Sequence, residues 1–365
     1  MPKSLSVAIV KPVDGKCNLR CQYCYMWRYS NCARADEGCS KMNFATLKLL
    51  IDFFCSGQQD IEFIWHGGEP LLAGISFYRQ VVEYQQKWLD RGKNIANFVQ
   101  TNATLVNRNW ARFFAENKFV AGVSLDGPAE YHNLVRCYKN SQKSFTATMR
   151  GISILKEASV FNGVSCCVSD INYKHPMEIL EFFIKNDIKS LKFLRVKGQD
   201  SHGNPYPHSI SQQAYLEFLL SVLNRWIEID DVDIEIRDLK SIIDLMLGGE
   251  FRECVYMGRC DIFATVYSDG SIYSCDALPK TREFYFGRVN QPVKDIRKSA
   301  NLLKLIRMIN IHKKFCGACE YFKICKSGCL QDYLPDLLRG GNSSCGDLKR
   351  YYTTVRSKLL EYDLL

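Results

Sequence analysis

Cys17-Asn18-Leu19-Arg20-Cys21-Gln22-Tyr23-Cys24 is the stretch on which the reading of this chain turns. It follows the apolar run Leu5–Val10, so three thiols share one loop at the end of a strand. Soft sulfur donors suit zinc or iron–sulfur clusters. Three thiolates can hold three corners of a cubane and leave one iron open, and an open position is what a catalytic metal site needs. A structural zinc site with a distant fourth ligand, or cysteines that simply pack, is the competing reading. The whole chain has 17 Cys and 6 His in 365 residues. Its start, Met1-Pro2-Lys3-Ser4, lacks the apolar stretch of a signal peptide, which points to the cytoplasm. Thiols stay reduced there, so a disulfide framework is not expected and metal binding is.

Outward from that loop, short β-branched and aromatic runs alternate with amphipathic windows. Strands are expected at Leu5–Val10, Ile61–Trp65, Asn97–Thr101, Val120–Ser124, Gly163–Val168 and Leu191–Val196. Helices are expected at Phe44–Phe54, Phe77–Asp90, Arg108–Asn117, Phe145–Glu157 and Met177–Lys185. Such alternation builds an α/β fold on a parallel sheet, with ligands at the C-terminal ends of the strands. Six units fall short of a closed eight-fold barrel, so a partial barrel or open sheet is expected. Gln199–His208 reads as a polar break, followed by helices at Ser211–Glu228 and Leu239–Leu247. The organisation is thus 1–200 as the α/β unit, 201–250 as a bridging region and 251–365 as a cysteine-rich unit.

That last unit holds Cys254, Cys260, Cys275, Cys316, Cys319, Cys325, Cys329 and Cys345, and one hairpin signal at Ser268-Asp269-Gly270. Its apolar periodicity looks too thin for an ordinary core, so metal is expected to staple it. A tandem zinc ribbon is the alternative. Six cysteines lie outside both sets. Cys55, Cys166 and Cys167 are expected to pack in the interior, Cys137 is given no role, and Cys32 and Cys39 fall on a loop where a lid role and none stand equal.

The first loop, with Tyr23 before its last Cys, resembles the cluster loop of radical S-adenosylmethionine (SAM) enzymes. Gly67-Gly68-Glu69-Pro70 after the second strand, Gln100-Thr101-Asn102 at the third and Ser124-Leu125-Asp126-Gly127-Pro128 at the fourth, with Arg136 following, agree with that family in order and position. The resemblance implies a partial (β/α)6 radical SAM barrel in which Cys17, Cys21 and Cys24 hold a [4Fe–4S] cluster whose open iron takes the methionine end of SAM. It implies Tyr23 by the adenine, Gly68 at the methionine amine within Gly67-Gly68-Glu69-Pro70, and Ser124 and Arg136 on the carboxylate and ribose side. Trp65-His66 would line the rim of the SAM pocket. The later cysteines resemble a SPASM domain with two auxiliary [4Fe–4S] clusters, making three in all. Cys254, Cys260, Cys275 and Cys329 would hold the first, and Cys316, Cys319, Cys325 and Cys345 the second. Asp276 takes the place of the general base proposed in sulfatase-maturating members, a turn-forming Asp being the plainer reading.

The formal charge of +9 would fall to roughly +4 once the thiolates hold clusters, which weakens any nucleic-acid reading. A zinc-loaded nucleic-acid-binding protein remains as a remote alternative. No run is long and apolar enough to span a membrane. The implied activity is oxidative modification of a side chain in a peptide or protein substrate, with a flavodoxin- or ferredoxin-type reductant. Cys17 comes so early that no leader-recognition domain is expected ahead of it, leaving recognition to the barrel rim and Ser201–Leu247. His66 stands where sulfatase maturases usually carry Gln, which tilts the expectation toward a maturase that crosslinks a ribosomally made peptide. Formylglycine formation in a sulfatase is the alternative.

Overall fold

Apolar alternation and local caps account for most of the elements. The computed structural model describes residues 5–26, 40–198, 205–251, 253–338 and 345–365. In it β1 (Val7–Val10) is followed by α1 (Phe44–Gly57), whose first turn is capped by the Asn43 side chain accepting from the Thr46 amide. Then come β2 (Asp60–Trp65), α2 (Ile75–Leu89), β3 (Asn94–Thr101), α3 (Arg108–Glu116) and β4 (Phe119–Ser124). The unit closes with α4 (Ala129–Val135), α5 (Phe145–Glu157), β5 (Phe161–Val168), α6 (Pro176–Lys185) and β6 (Ser190–Arg195). All six expected strands form. Of the helices in this unit, sequence periodicity missed α4, whose seven residues are too few to show a period of 3.6.

Strands β1 to β6 pair in parallel in chain order. Along β2, Ile61, Phe63 and Trp65 are buried, with the Trp65 ring edge-on to Phe77 and Tyr78 of α2. Trp65 is therefore core rather than pocket rim, because alternation along the strand turns it away from the face that carries His66.

Beyond β6 come α7 (Gln212–Ile229), β7 (Glu235–Ile236), which pairs with β6, and α8 (Arg237–Met246). The cysteine-rich part starts with α9 (Cys254–Met257) and the strands β8 (Phe263–Val266), β9 (Ser271–Tyr273) and β10 (Tyr285–Arg288). It ends in α10 (Val293–Arg297), α11 (Ala300–Cys316), α12 (Phe322–Cys325), α13 (Leu330–Leu338) and α14 (Gly346–Glu361). The expected hairpin is β8–β9. Strand β8 also lies parallel to β1, Val7 opposite Phe263 through Val10 opposite Val266, so one sheet runs β10-β9-β8-β1-β2-β3-β4-β5-β6-β7.

The expectation of a segment without a core of its own is corrected. Leu302, Leu305, Ile309, Tyr351, Tyr352, Val355 and Leu359 are buried in the same apolar cluster as the barrel strands. They escaped notice because α11 and α14 bury one narrow face each among many Lys and Arg. No helix among the described residues is long and apolar enough to cross a membrane.

Candidate active site

The cysteine loop and the end of β1 that leads into it are rooted by backbone bonds to the ends of β2 and β8. The His66 amide donates to the Val10 carbonyl (2.8 Å), the Gly68 amide to Asp14 (2.7 Å), the Glu69 amide to Lys16 (2.8 Å), and the Lys11 amide to Val266 (2.8 Å). A Cβ on Gly68 would stand 2.0 Å from the Lys16 carbonyl oxygen, so only glycine lets the two loops approach. The Asp14 carboxylate accepts from the Ser268 amide (2.8 Å) and hydroxyl (2.6 Å), tying the same loop to the β8–β9 turn. Further on, the Arg20 amide donates to Cys137 and the Gln22 amide to Val135, so the loop runs beside the segment that carries Arg136. The Asn102 side chain donates to Asn18 Oδ1 (3.0 Å) and points at Cys17 Sγ (3.8 Å).

Cys17, Cys21 and Cys24 are half-buried. Burial pushes the Cys17 thiol up to about 12, with Glu69 and Cys24 adding to the rise, and Cys21 is raised by burial and by both other thiols. Cys17 and Cys21, which resist ionising by themselves, suit a cationic iron centre, which stabilises thiolate. Among the described residues no three His, Cys, Asp or Glu side chains gather as ligands of one ion. A cubane takes one thiolate per iron, so its ligands need not converge on a point.

Glu69 is 1% exposed and joins two strand ends. Its carboxylate accepts from the Thr101 hydroxyl (2.7 Å), the Asn102 amide (2.8 Å) and the Leu71 amide (3.1 Å). Burial, only partly offset by these donors, raises it to about 7. Gln100 donates to the Ser124 hydroxyl across β3 and β4 (3.0 Å).

On the other flank Asp126 organises a buried knot. It accepts from the Tyr23 hydroxyl, from Arg136 Nε (2.8 Å) and from the Cys167 amide (2.9 Å). Arg136 thus spends its Nε on protein, and its guanidinium lies 5.4 Å from the Tyr23 ring centre. Cys55 and Cys166 are fully buried, as expected, whereas Cys167 is half-buried with its sulfur 3.5 Å from Arg136 Nη2. Cys32 and Cys39 lie outside the described residues, as do positions 199–204.

Asp276, on the cysteine-rich part, meets residues from the end of β1, the cysteine loop and the end of β2. The Tyr25 hydroxyl donates to Asp276 Oδ2 (2.8 Å), Lys11 Nζ lies 3.3 Å from the same oxygen, and His66 Nδ1 lies 3.9 Å away. Lys11 is fully buried and also donates to the Tyr25 hydroxyl (3.0 Å). Burial works to raise the Asp276 carboxyl, but Lys11, then His66 and the Tyr25 hydroxyl, outweigh it and hold the group below the ordinary carboxylate range. Burial pushes His66 down to about 4, which leaves the imidazole neutral at pH 7. Sequence reasoning missed Lys11 and Tyr25. The available signal was a lysine ending the apolar run Val7-Ala8-Ile9-Val10, at the strand end where an α/β sheet places its ligands.

The eight later cysteines sort by which thiols feel one another. Cys275 and Cys260 each sense Cys254 and Cys329, while Cys325 and Cys345 sense Cys316, and Cys345 also Cys319. Lys197 Nζ stands 4.0 Å from Cys329 Sγ, and Tyr333 lies within reach of both groups.

A model of the Radical SAM superfamily matches residues 13–183. The cysteine-type anaerobic sulfatase-maturating enzyme of Clostridium novyi (strain NT) is 31% identical over 98% of this chain and 96% of its own. The solved structure of native anSMEcpe with bound AdoMet and Cp18Cys peptide has a TM-score of 0.84 and 26% identity, covering 98% of both chains. Streptococcus suis SuiB bound to S-adenosylmethionine shares the fold at a TM-score of 0.61 and 14% identity, over 90% of this chain and 74% of that one. A chain that matches such relatives over nearly all of its length belongs with them: it is a member of the radical SAM superfamily, a radical-generating enzyme with a SAM-binding [4Fe–4S] cluster.

Proposed function

We propose that this enzyme oxidises a Cys or Ser side chain of a protein substrate to formylglycine, as a sulfatase maturase. The observation that carries this reading is Asp276, held as a carboxylate beside the loop of Cys17, Cys21 and Cys24 by Lys11 and Tyr25. The lean from sequence toward crosslinking rested on His66 in place of Gln. A neutral imidazole and a carboxamide are both uncharged hydrogen-bonding groups, so that departure loses its weight. Nearly full-length similarity to a sulfatase-maturating enzyme favours the same side, while the likeness to SuiB extends to fold alone.

Cys17, Cys21 and Cys24 would hold the cluster, which when bound would supply the electron for reductive cleavage of SAM. The protein's part is placement. Gly68 would lie at the methionine amino group, on a loop that the buried Glu69 braces. Tyr23, braced by Asp126, forms the adenine side, and Ser124 with the remaining donors of Arg136 takes the carboxylate and ribose side. Asp276 accepts the substrate thiol or hydroxyl proton, with Lys11 and Tyr25 fixing its Oδ2 and leaving Oδ1 for the substrate. Cys254, Cys260, Cys275 and Cys329 would hold one auxiliary cluster and Cys316, Cys319, Cys325 and Cys345 another, acceptors for the electron left on the substrate. The nearness of Cys275 and Cys260 to Cys254 and Cys329, and of Cys325 and Cys345 to Cys316, supports that division.

The test is a mass spectrum after anaerobic incubation of cluster-loaded enzyme, reductant and SAM with a sulfatase-type Cys-x-Pro-x-Arg peptide. Conversion of the Cys to an aldehyde is expected. SAM cleavage with an unchanged peptide would overturn the reading and return the search to crosslinking of a dedicated precursor. Asp276→Asn is expected to slow aldehyde formation by about a hundredfold or more while SAM cleavage persists.

A further inference from the structure

Helix α11 turns Leu302, Leu305, Ile309 and His312 into the core. Its opposite face therefore presents Leu303, Arg307, Ile311 and Phe315, spaced four residues apart along one stripe. Leu303 is 42% exposed, Ile311 51% and Phe315 64%. Three large apolar side chains on one solvent-facing stripe are unusual for a surface helix and mark an interaction face. Arg307 and Lys314 are exposed beside them. Residues 300–326 carry six Lys or Arg against one acidic residue, Glu320. Lys326 stands near Lys313, as does Arg259, which is paired with Asp261 (2.6 Å). The stripe ends at Cys316, followed by the exposed Gly317 and Ala318 and then Cys319.

We propose that this stripe is the docking face for a small acidic electron-carrier protein, which seats its redox group over the turn Cys316–Cys319. The inference rests on Cys316, Cys319, Cys325 and Cys345 being cluster ligands, and is independent of which side chain the enzyme oxidises. An apolar centre with a basic surround complements a carrier whose redox edge is apolar and ringed by carboxylates. A second copy of this chain fits poorly, since a two-fold contact would set Arg307 and Lys314 against their own like. Electron-transfer contacts are small and short-lived, so one helical stripe beside a surface turn is of adequate size.

Isothermal titration of anaerobic, cluster-loaded enzyme with an oxidised recombinant bacterial flavodoxin tests this. Saturable binding that weakens as salt rises is expected. Arg307→Glu/Lys314→Glu is expected to weaken it about tenfold or more, and Ile311→Ser to weaken it without changing its salt dependence. The charge-matched control Arg108→Glu/Arg112→Glu, on the exposed face of α3, is expected to bind as the parent does. SAM cleavage driven by dithionite reports that the α11 variants remain folded and loaded. Absence of binding by the parent enzyme, equal weakening in the control, or loss of a dimer in the α11 variants would each overturn the proposal. Retained binding by an enzyme that fails to make the aldehyde would leave docking intact and sink only the substrate reading.

Discussion

Glu69 accepts three hydrogen bonds, yet no ion pair with it forms among the described residues, and burial lifts it to about 7. A carboxyl raised in the folded state binds more protons folded than unfolded. It therefore subtracts stability from the apoprotein as pH climbs from about 4.5 to about 7. Glu69→Gln is expected to flatten that pH dependence, read as the melting temperature of the apoprotein at pH 5 and pH 7, and to weaken SAM binding by the loaded enzyme, since its amide nitrogen cannot accept from the Asn102 or Leu71 amides. The motif Gly67-Gly68-Glu69-Pro70 was plain in the sequence, but the partners of Glu69 were not, because periodicity does not say which loop meets which. Lys11 was hidden for the same reason, its role existing only once Asp276 arrives from the far end of the chain. Lys11→Met is expected to lower aldehyde formation while leaving SAM cleavage intact, and His66→Gln to leave both near the parent level.

At the scale of elements, strand-end loops hold one another rather than standing free. The loop from Lys11 to Cys24 is stitched to the ends of β2 and β8 and to the segment beyond α4. Gly68→Ala drives a methyl into the Lys16 carbonyl, so it is expected to destabilise the fold by about 1–3 kcal/mol and to reduce iron retained per chain after reconstitution. Strands β2 to β6 and helices α1 to α3 were legible because each is long and half-apolar. The short β7, α4 and the cysteine-rich helices were not, since fewer than two turns, or a narrow apolar face among many charges, leave no period to count. The Ser268-Asp269-Gly270 hairpin was legible by turn chemistry alone.

Across the whole molecule, the sheet does not stop where composition changes. Sequence showed the boundary near Cys254 clearly, as a sudden density of thiols, and from that suggested a region held mainly by metal. What composition cannot report is pairing between distant strands, and β8 completes the open edge of β1 through four residue pairs. A fragment ending at residue 250 is expected to aggregate, its β1 edge and the apolar surface beneath α11 and α14 laid bare, and light scattering would show it. The same pairing has a bearing on biosynthesis. Strand β1 leaves the ribosome long before its outer neighbour, β8, is made. Until then its cysteine loop is anchored on one side alone, within reach of whatever machinery delivers iron. Arrival of β8 would close that side, its turn binding the Asp14 carboxylate through Ser268.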